Sequence, residues 1–341
     1  MKQIVNTADG SYDVLEVREV PAPEPGEEEI RIDVRAAGLN FADILARKGQ
    51  YPDAPPKPCV MGYEVAGVVE SAGSYADQSW VGKEVLGICR FKGQSEQLVI
   101  PAAQVYEKPA SLSYAEAAAL PVNYLTAWVL IVVMGSLTKD ESILIHNAGG
   151  GVGLAALDIA THIGATTYGT SSKHKHEFLN SRGLNFAIDY RNYDWLEELM
   201  ASTDGKGVEL IIDPLGGREW KRSYQALRAT GRLGMFGISS ASEGSGGGLR
   251  AKWNMIKTLV QMPFFHPLPM LDKNRGVFGV NLGHLWREGE KARIWMDALL
   301  KGVEEGWIRP HVDRTFSYEE AGEAHRYIEE RKNIGKVILV P

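Results

Sequence analysis

The stretch Ile143-Leu144-Ile145-His146-Asn147-Ala148-Gly149-Gly150-Gly151-Val152-Gly153 decides the fold. An apolar run, residues 143–148, stops at glycines, and helical spacing then carries from Val152 to Ile163 before Gly164. The pattern is a variant of the dinucleotide fingerprint, with Ala148 in the first glycine position. Gly150 lets a pyrophosphate approach the backbone, and Gly153 lets the helix pack closely on the strand. Gly149, Gly151 and Val152 complete a turn whose helix N-terminus offers free N–H groups and a positive dipole end to an anion. A glycine string alone reads as a flexible turn. Strand before and helix after make it a phosphate cradle.

The next strand decides which dinucleotide fits. It ends TTYGTSSKHKHE, residues 166–177, with no acidic residue at its tip to hold a ribose 2′-hydroxyl. Thr170, Ser171, Ser172, Lys173 and Lys175 stand there instead, donors suited to a 2′-phosphate. The segment points to NADPH and leaves open which lysine reaches the phosphate. His174 and His176 read as surface residues.

Outward from this core, apolar strands alternate with amphipathic helices. Thr166–Gly169, Phe186–Asp189, Glu209–Asp213, Arg232–Gly237 and Gly276–Leu282 read as strands, and Glu288–Glu305 as a helix. Such alternation predicts a parallel, doubly wound α/β sheet. Before about Val122 the rhythm differs: Glu29–Ala36, Tyr63–Glu70, Glu84–Ile88 and Glu96–Ile100 are short β-rich runs punctuated by Pro and Gly. Ser113–Glu116 is a capping box opening a helical stretch, Tyr114 to Gly135, broken near Pro121. Ser317–Glu320 is a second box, and the helix it starts ends near Arg331, before a final strand at Gly335–Val340. The expected division is a discontinuous, mostly β first domain, 1–122 with 306–341, around a cofactor domain at 123–305. Glu243–Gly248 reads as a flexible loop.

Composition sets outer bounds. A chain of 341 residues with 44% hydrophobic and 23% charged content suits a soluble two-domain protein. A net charge of −6 gives no basic face for nucleic acid. Cys59 and Cys89 are too few for a disulfide framework and lack the spacing of a zinc site, so a reducing, cytoplasmic setting is expected. The apolar stretch Leu125–Gly135 is shorter than the roughly 20 residues a bilayer span needs.

The motifs together resemble the zinc-independent quinone oxidoreductases of the medium-chain dehydrogenase/reductase superfamily, along essentially the whole chain. The matching segments are AAGLNFADILARKGQYP (36–52), GYEVAGVVESAG (62–73), LPVNYLTAW (120–128), NAGGGVG (147–153), IDYR (188–191), DPLGG (213–217) and NIGKVIL (333–339). Within the family the wording is similar to the synaptic-vesicle membrane protein-like branch. The resemblance implies a Rossmann cofactor domain joined to a GroES-like catalytic domain. It implies hydride transfer from NADPH to a quinone or an α,β-unsaturated carbonyl.

Zinc-dependent relatives hold their metal through a cysteine and a histidine, where this chain has Asn40 and Tyr63. Amide and phenol are not usual zinc ligands, so no metal is expected. The resemblance further implies Tyr51 as hydrogen-bond or proton donor to the substrate, against a plain pocket-wall reading. Asn40 would contact cofactor or substrate, Asp43 would close its turn, and Tyr63 would contact substrate or simply pack. Thr126 and Asn123 would lie near the nicotinamide, and Tyr190 near the adenosine phosphate. Leu215 in DPLGG, then Phe278, Gly279 and Asn281, and in the tail Asn333 and Lys336, complete the expected cofactor contacts. Glu64 reads as buried and paired with a cation, and His146 as a satisfied core histidine. Relatives commonly dimerise, and an unpaired edge at Gly276–Leu282 would serve a homodimer. The segment 253–271, rich in Trp, Met and Phe, reads as a pocket cover or subunit interface, with weak membrane contact as the alternative. A lipid-binding or membrane-peripheral NADPH-binding protein with little turnover is the rival function.

Overall fold

The computed structural model describes residues 1–242 and 249–341, with only the backbone described at 241, 242, 249–252 and 255. The expected loop Glu243–Gly248 lies outside the described residues.

Six parallel strands form one sheet in the spatial order Phe186–Asp189, Thr166–Ser171, Ser142–Ile145, Val208–Asp213, Leu227–Met235, Gly276–Gly279. Both faces of the two central strands are covered, and their inner residues are therefore apolar runs. Ile143, Leu144, Ile145, Leu210, Ile211 and Ile212 are all fully buried. From Ser142–Ile145 the chain builds first toward one edge and then returns to the other side. The crevice between Ser142–Ile145 and Val208–Asp213 is thus a topological switch point, where open α/β sheets bind ligands. The helix Gly151–Ile163 starts at that crevice and stops at Gly164, which takes a left-handed φ of 86°.

The other main sheet is largely antiparallel: Val312–Ser317, Lys336–Val340, Glu29–Leu39, Glu64–Ala72, Glu84–Ile88 and Val105–Glu107, with Gln97–Pro101 also pairing with Glu29–Leu39. Along Glu29–Leu39, Ile30, Ile32 and Val34 are buried while Glu29, Arg31 and Asp33 are not, the period of two that puts one face on a core. The tail strand is an inner member of this sheet, with Val337, Ile338 and Leu339 opposite Leu39, Gly38 and Ala37. A small third sheet joins Leu15–Glu19, Lys2–Asn6 and Cys59–Val60. The fold is a Rossmann domain with a GroES-like β domain, as the sequence implied.

Local details depart from the sequence reading where tertiary contacts intervene. The stretch after Ser113 becomes two helices, Tyr114–Ala118 and Pro121–Trp128, then a wider turn at Val129–Val133. Pro121 sits in the first turn of its helix, where its missing N–H costs nothing. The last parallel strand ends early, at Gly279, because Asn281 accepts the Gly283 N–H at 3.0 Å and caps a tight turn over Leu282–His284.

Candidate functional site

A cavity of about 2330 Å³ runs from the switch point into the cleft between the two sheets. Its floor is the glycine-rich turn. Asn147, Gly150, Gly151, Val152 and Gly153 line it, while Ala148 and Gly149 lie behind. A Cβ at Gly151 would come within 2.5 Å of Asn123, and one at Gly149 within 2.7 Å of Lys175. A Cβ at either position would force those side chains to shift, so the turn is tightly packed where glycine stands. The tail clamps this turn from outside: the Gly335 N–H donates to the Gly149 carbonyl at 2.9 Å.

At one end of the cavity stands Lys175, only 5% exposed, its ammonium donating to the Asn333 carbonyl. Burial draws its pKa down to about 8. Tyr190 is beside it on the cavity wall, and Arg331 donates to the Tyr190 hydroxyl at 3.2 Å. Burial works upward on the Tyr190 phenol, but Arg331 and Arg191 outweigh it and bring the net shift down. Ser171 and Ser172 are buried away from the cavity, and Lys173 points to solvent. The two lysines left open by the sequence are thus separated by burial. Arg331 was not legible as a partner, because it sits 141 positions from Tyr190 on a left-handed residue, φ 56°, after the last helix.

The middle of the cavity is walled by Thr126, Asn123, Leu215, Gly279 and Asn281. Asn123 donates to the Ala119 carbonyl at 3.1 Å, and the Leu215 N–H donates to Asp213 at 2.6 Å. Phe278 lies outside this wall and packs under Gly234, within 2.8 Å of where a Cβ would be.

At the far end, Lys336 and Glu64 form a buried ion pair, 3% and 0% exposed. Lys336 also donates to Asn40 Oδ1 at 2.7 Å, and Asn40 Nδ2 donates to Glu64 at 3.0 Å. The Val122 N–H donates to the other Glu64 oxygen at 2.7 Å. The cation foreseen for Glu64 is therefore Lys336. Asn40 has both ends of its amide engaged inside this cluster. Asp43 closes the adjoining turn, accepting the N–H groups of Asn40 at 2.8 Å and Gly62 at 3.0 Å. Its carboxyl is fully buried, and burial raises its pKa to about 7.

Two tyrosines face the space above. Tyr51 and Tyr63 meet edge to face with ring centroids 6.3 Å apart, and both line the cavity. Burial raises both phenol pKa values, so both stay protonated donors at neutral pH. Tyr51 also lies close to the Asn281–His284 turn, its hydroxyl 3.4 Å from where a Cβ of Gly283 would be. Across the mouth, His284 and Asp53 are joined at 2.9 Å. Among the described residues no three His, Cys, Asp or Glu side chains gather as a metal-holding group.

A nucleotide cradle at a switch point, opening into a cleft beneath a GroES-like sheet, defines a class, and the chain belongs to the medium-chain dehydrogenase/reductase superfamily of oxidoreductases. Residues 26–127 match the alcohol dehydrogenase GroES-like domain, and residues 182–339 match the zinc-binding dehydrogenase family. The synaptic vesicle membrane protein VAT-1 homolog of Rattus norvegicus is 36% identical over 348 residues, spanning 100% of this chain and 84% of its own. Among solved structures, Escherichia coli quinone oxidoreductase complexed with NADPH superposes with a TM-score of 0.87 at 28% identity, covering 100% of both chains. The CurK enoyl reductase superposes at 0.84 and 27% identity, covering 99% of each.

Proposed function

We propose that the chain is an NADPH-dependent, metal-free reductase of quinones or α,β-unsaturated carbonyls. The observation that carries this reading is Lys175, a buried ammonium on the cavity wall whose hydrogen-bond acceptor among the described residues is a neutral carbonyl. Buried cations are ordinarily paired with an anion, and a ribose 2′-phosphate would supply it. Tyr190 and Arg331 would flank the same phosphate. The glycine turn from Gly150 to Gly153 would hold the pyrophosphate, and Thr126, Gly279 and Asn281 the nicotinamide end.

When bound, a reduced nicotinamide supplies hydride. The chain's own part is to orient the acceptor and stabilise the charge that develops on its oxygen. Tyr51 would donate a hydrogen bond or proton there, with Tyr63 behind it. At the positions that hold zinc in metal-dependent relatives, Asn40 and Tyr63 present an amide and a phenol, and Lys336 fills the space between Asn40 and Glu64. A donor set closed by an ammonium suits acceptors that delocalise their own negative charge.

Purified protein, assayed with chelator present against quinones and enones, should oxidise NADPH far faster than NADH. Tight NADPH binding without turnover on any acceptor would shift the reading to a binding protein.

A second reading has its own observation. The helix Leu249–Val260 turns Asn254, Lys257 and Thr258 toward the cavity, while Trp253, Ile256, Leu259 and Val260 are exposed. Phe264, Leu268 and Leu271 continue that apolar surface and are each at least 67% exposed. Contact with a lipid surface through this face is the alternative role.

A further inference from the structure

Behind the glycine-rich turn, four buried side chains form one continuous hydrogen-bonded chain. Ser223 donates its only hydroxyl proton to Asp213 Oδ2 at 2.6 Å. Towards His146 Nε2, 3.1 Å away, that hydroxyl can therefore only accept. Burial, the largest influence on His146, lowers its pKa and keeps the ring neutral, with Arg222 acting the same way and Asp213 and Glu219 opposing. A neutral ring with its proton on Nε2 leaves Nδ1 as an acceptor. Nδ1 takes the proton of the Thr170 hydroxyl at 3.0 Å, and the same Thr170 oxygen accepts the Asn147 N–H at 3.3 Å. At the opposite end, Asp213 Oδ1 accepts the Leu215 N–H at 2.6 Å. No member is more than 3% exposed.

The two termini matter. Asn147 opens the glycine turn and Leu215 the loop after Val208–Asp213, and both line the cavity. Asn147 holds a left-handed φ of 53°, which asparagine tolerates better than most side chains. A Cβ at Gly150 would meet its amide at 2.6 Å, and one at Gly153 its carbonyl at 2.3 Å, so Asn147 shapes the turn.

We propose that Thr170, His146, Ser223 and Asp213 are positioning residues for the dinucleotide. The relay holds Asn147 in its left-handed conformation and fixes the spacing of the two loops that grip the cofactor. His146 and Thr170 reach the cavity wall, but their polar atoms are engaged within the relay, and Ser223 and Asp213 lie behind them. The proposal rests on the dinucleotide reading above.

The test combines NADPH binding by fluorescence titration, without turnover, and ¹⁵N spectra of the histidine rings. Wild-type protein that binds no NADPH would remove the dinucleotide reading itself, while the ring spectrum still reports on the relay. Given binding, Ser223→Ala and His146→Leu should each weaken NADPH about tenfold or more. His146→Gln, which keeps one donor and one acceptor, should stay within about threefold of wild type. Wild-type affinity in Ser223→Ala overturns the proposal, as does equal loss in the Gln and Leu variants. Should His146→Leu not fold, Ser223→Ala and the wild-type spectrum decide. A ring protonated on Nε2 alone is expected, and an imidazolium or an Nδ1–H tautomer overturns the relay.

Discussion

Lys175 carries one buried positive charge, and the proposed preference for NADPH turns on it. Lys175→Ala should raise the Kd of NADPH by about 10- to 100-fold, the loss of a charge-assisted hydrogen bond, and leave NADH within about twofold. Parallel titrations with both cofactors check this, and equal losses would refute the phosphate role. The pH dependence has a definite sign. The lysine pKa is lowered to about 8 by burial, so it sheds its proton as pH rises through 8. NADPH affinity should fall from there upward while NADH affinity stays flat. Tyr51→Phe should lower kcat by about 100-fold with the NADPH KM unchanged, if the phenol donates in the reaction. An unchanged kcat would make Tyr51 a wall. At this scale the sequence showed residue types but not burial. TSSKHK placed two lysines two positions apart, and only the short turn at Lys173–Lys175 sends one inward and the other to solvent.

Elements were legible where local rules agree with the fold. Both capping boxes form at Ser113–Glu116 and Ser317–Glu320, and the glycine turn opens its helix at Gly151. The strands Lys2–Asn6 and Leu15–Glu19 were missed, since their sequences are mixed and their register comes from pairing with each other and with Cys59–Val60. Likewise nothing local distinguishes His146 as a relay member from a packed histidine, because its partners lie 24 and 77 positions away. The strand Gly276–Gly279 ends the six-stranded sheet among the described residues, and pairing of that edge with a second copy is the expected dimer contact. Light scattering at micromolar concentration should give a dimer, and a monomer would count against that edge. If the exposed face of 253–271 meets lipid, liposome co-sedimentation should vanish on Phe264→Asp. Protein that never sediments would retire the idea.

Across the whole molecule, the first and last parts of the chain are tied through the cleft. Glu64 and Lys336 lie 272 positions apart and bury their charges against each other. Lys336→Ala leaves Glu64 charged and unpaired, and should cost about 3–5 kcal/mol of stability by urea unfolding. A loss under about 1 kcal/mol would mean that the ion pair contributes little. The discontinuous layout was visible as a return of style after the cofactor region. The pairing of the tail strand with Glu29–Leu39 was not, because register between distant strands has no local signature.

The position of that tail strand also sets an order of events during synthesis. Lys336–Val340 fills an inner place between Val312–Ser317 and Glu29–Leu39. On the ribosome, the six parallel strands are all translated by Gly279, well before their partner sheet can close. The cofactor-binding half is therefore free to fold first, while the β half waits with an open seam for residues 336–340. Arg331, Asn333 and Gly335 reach the cavity only when that seam closes, so the site itself is finished last.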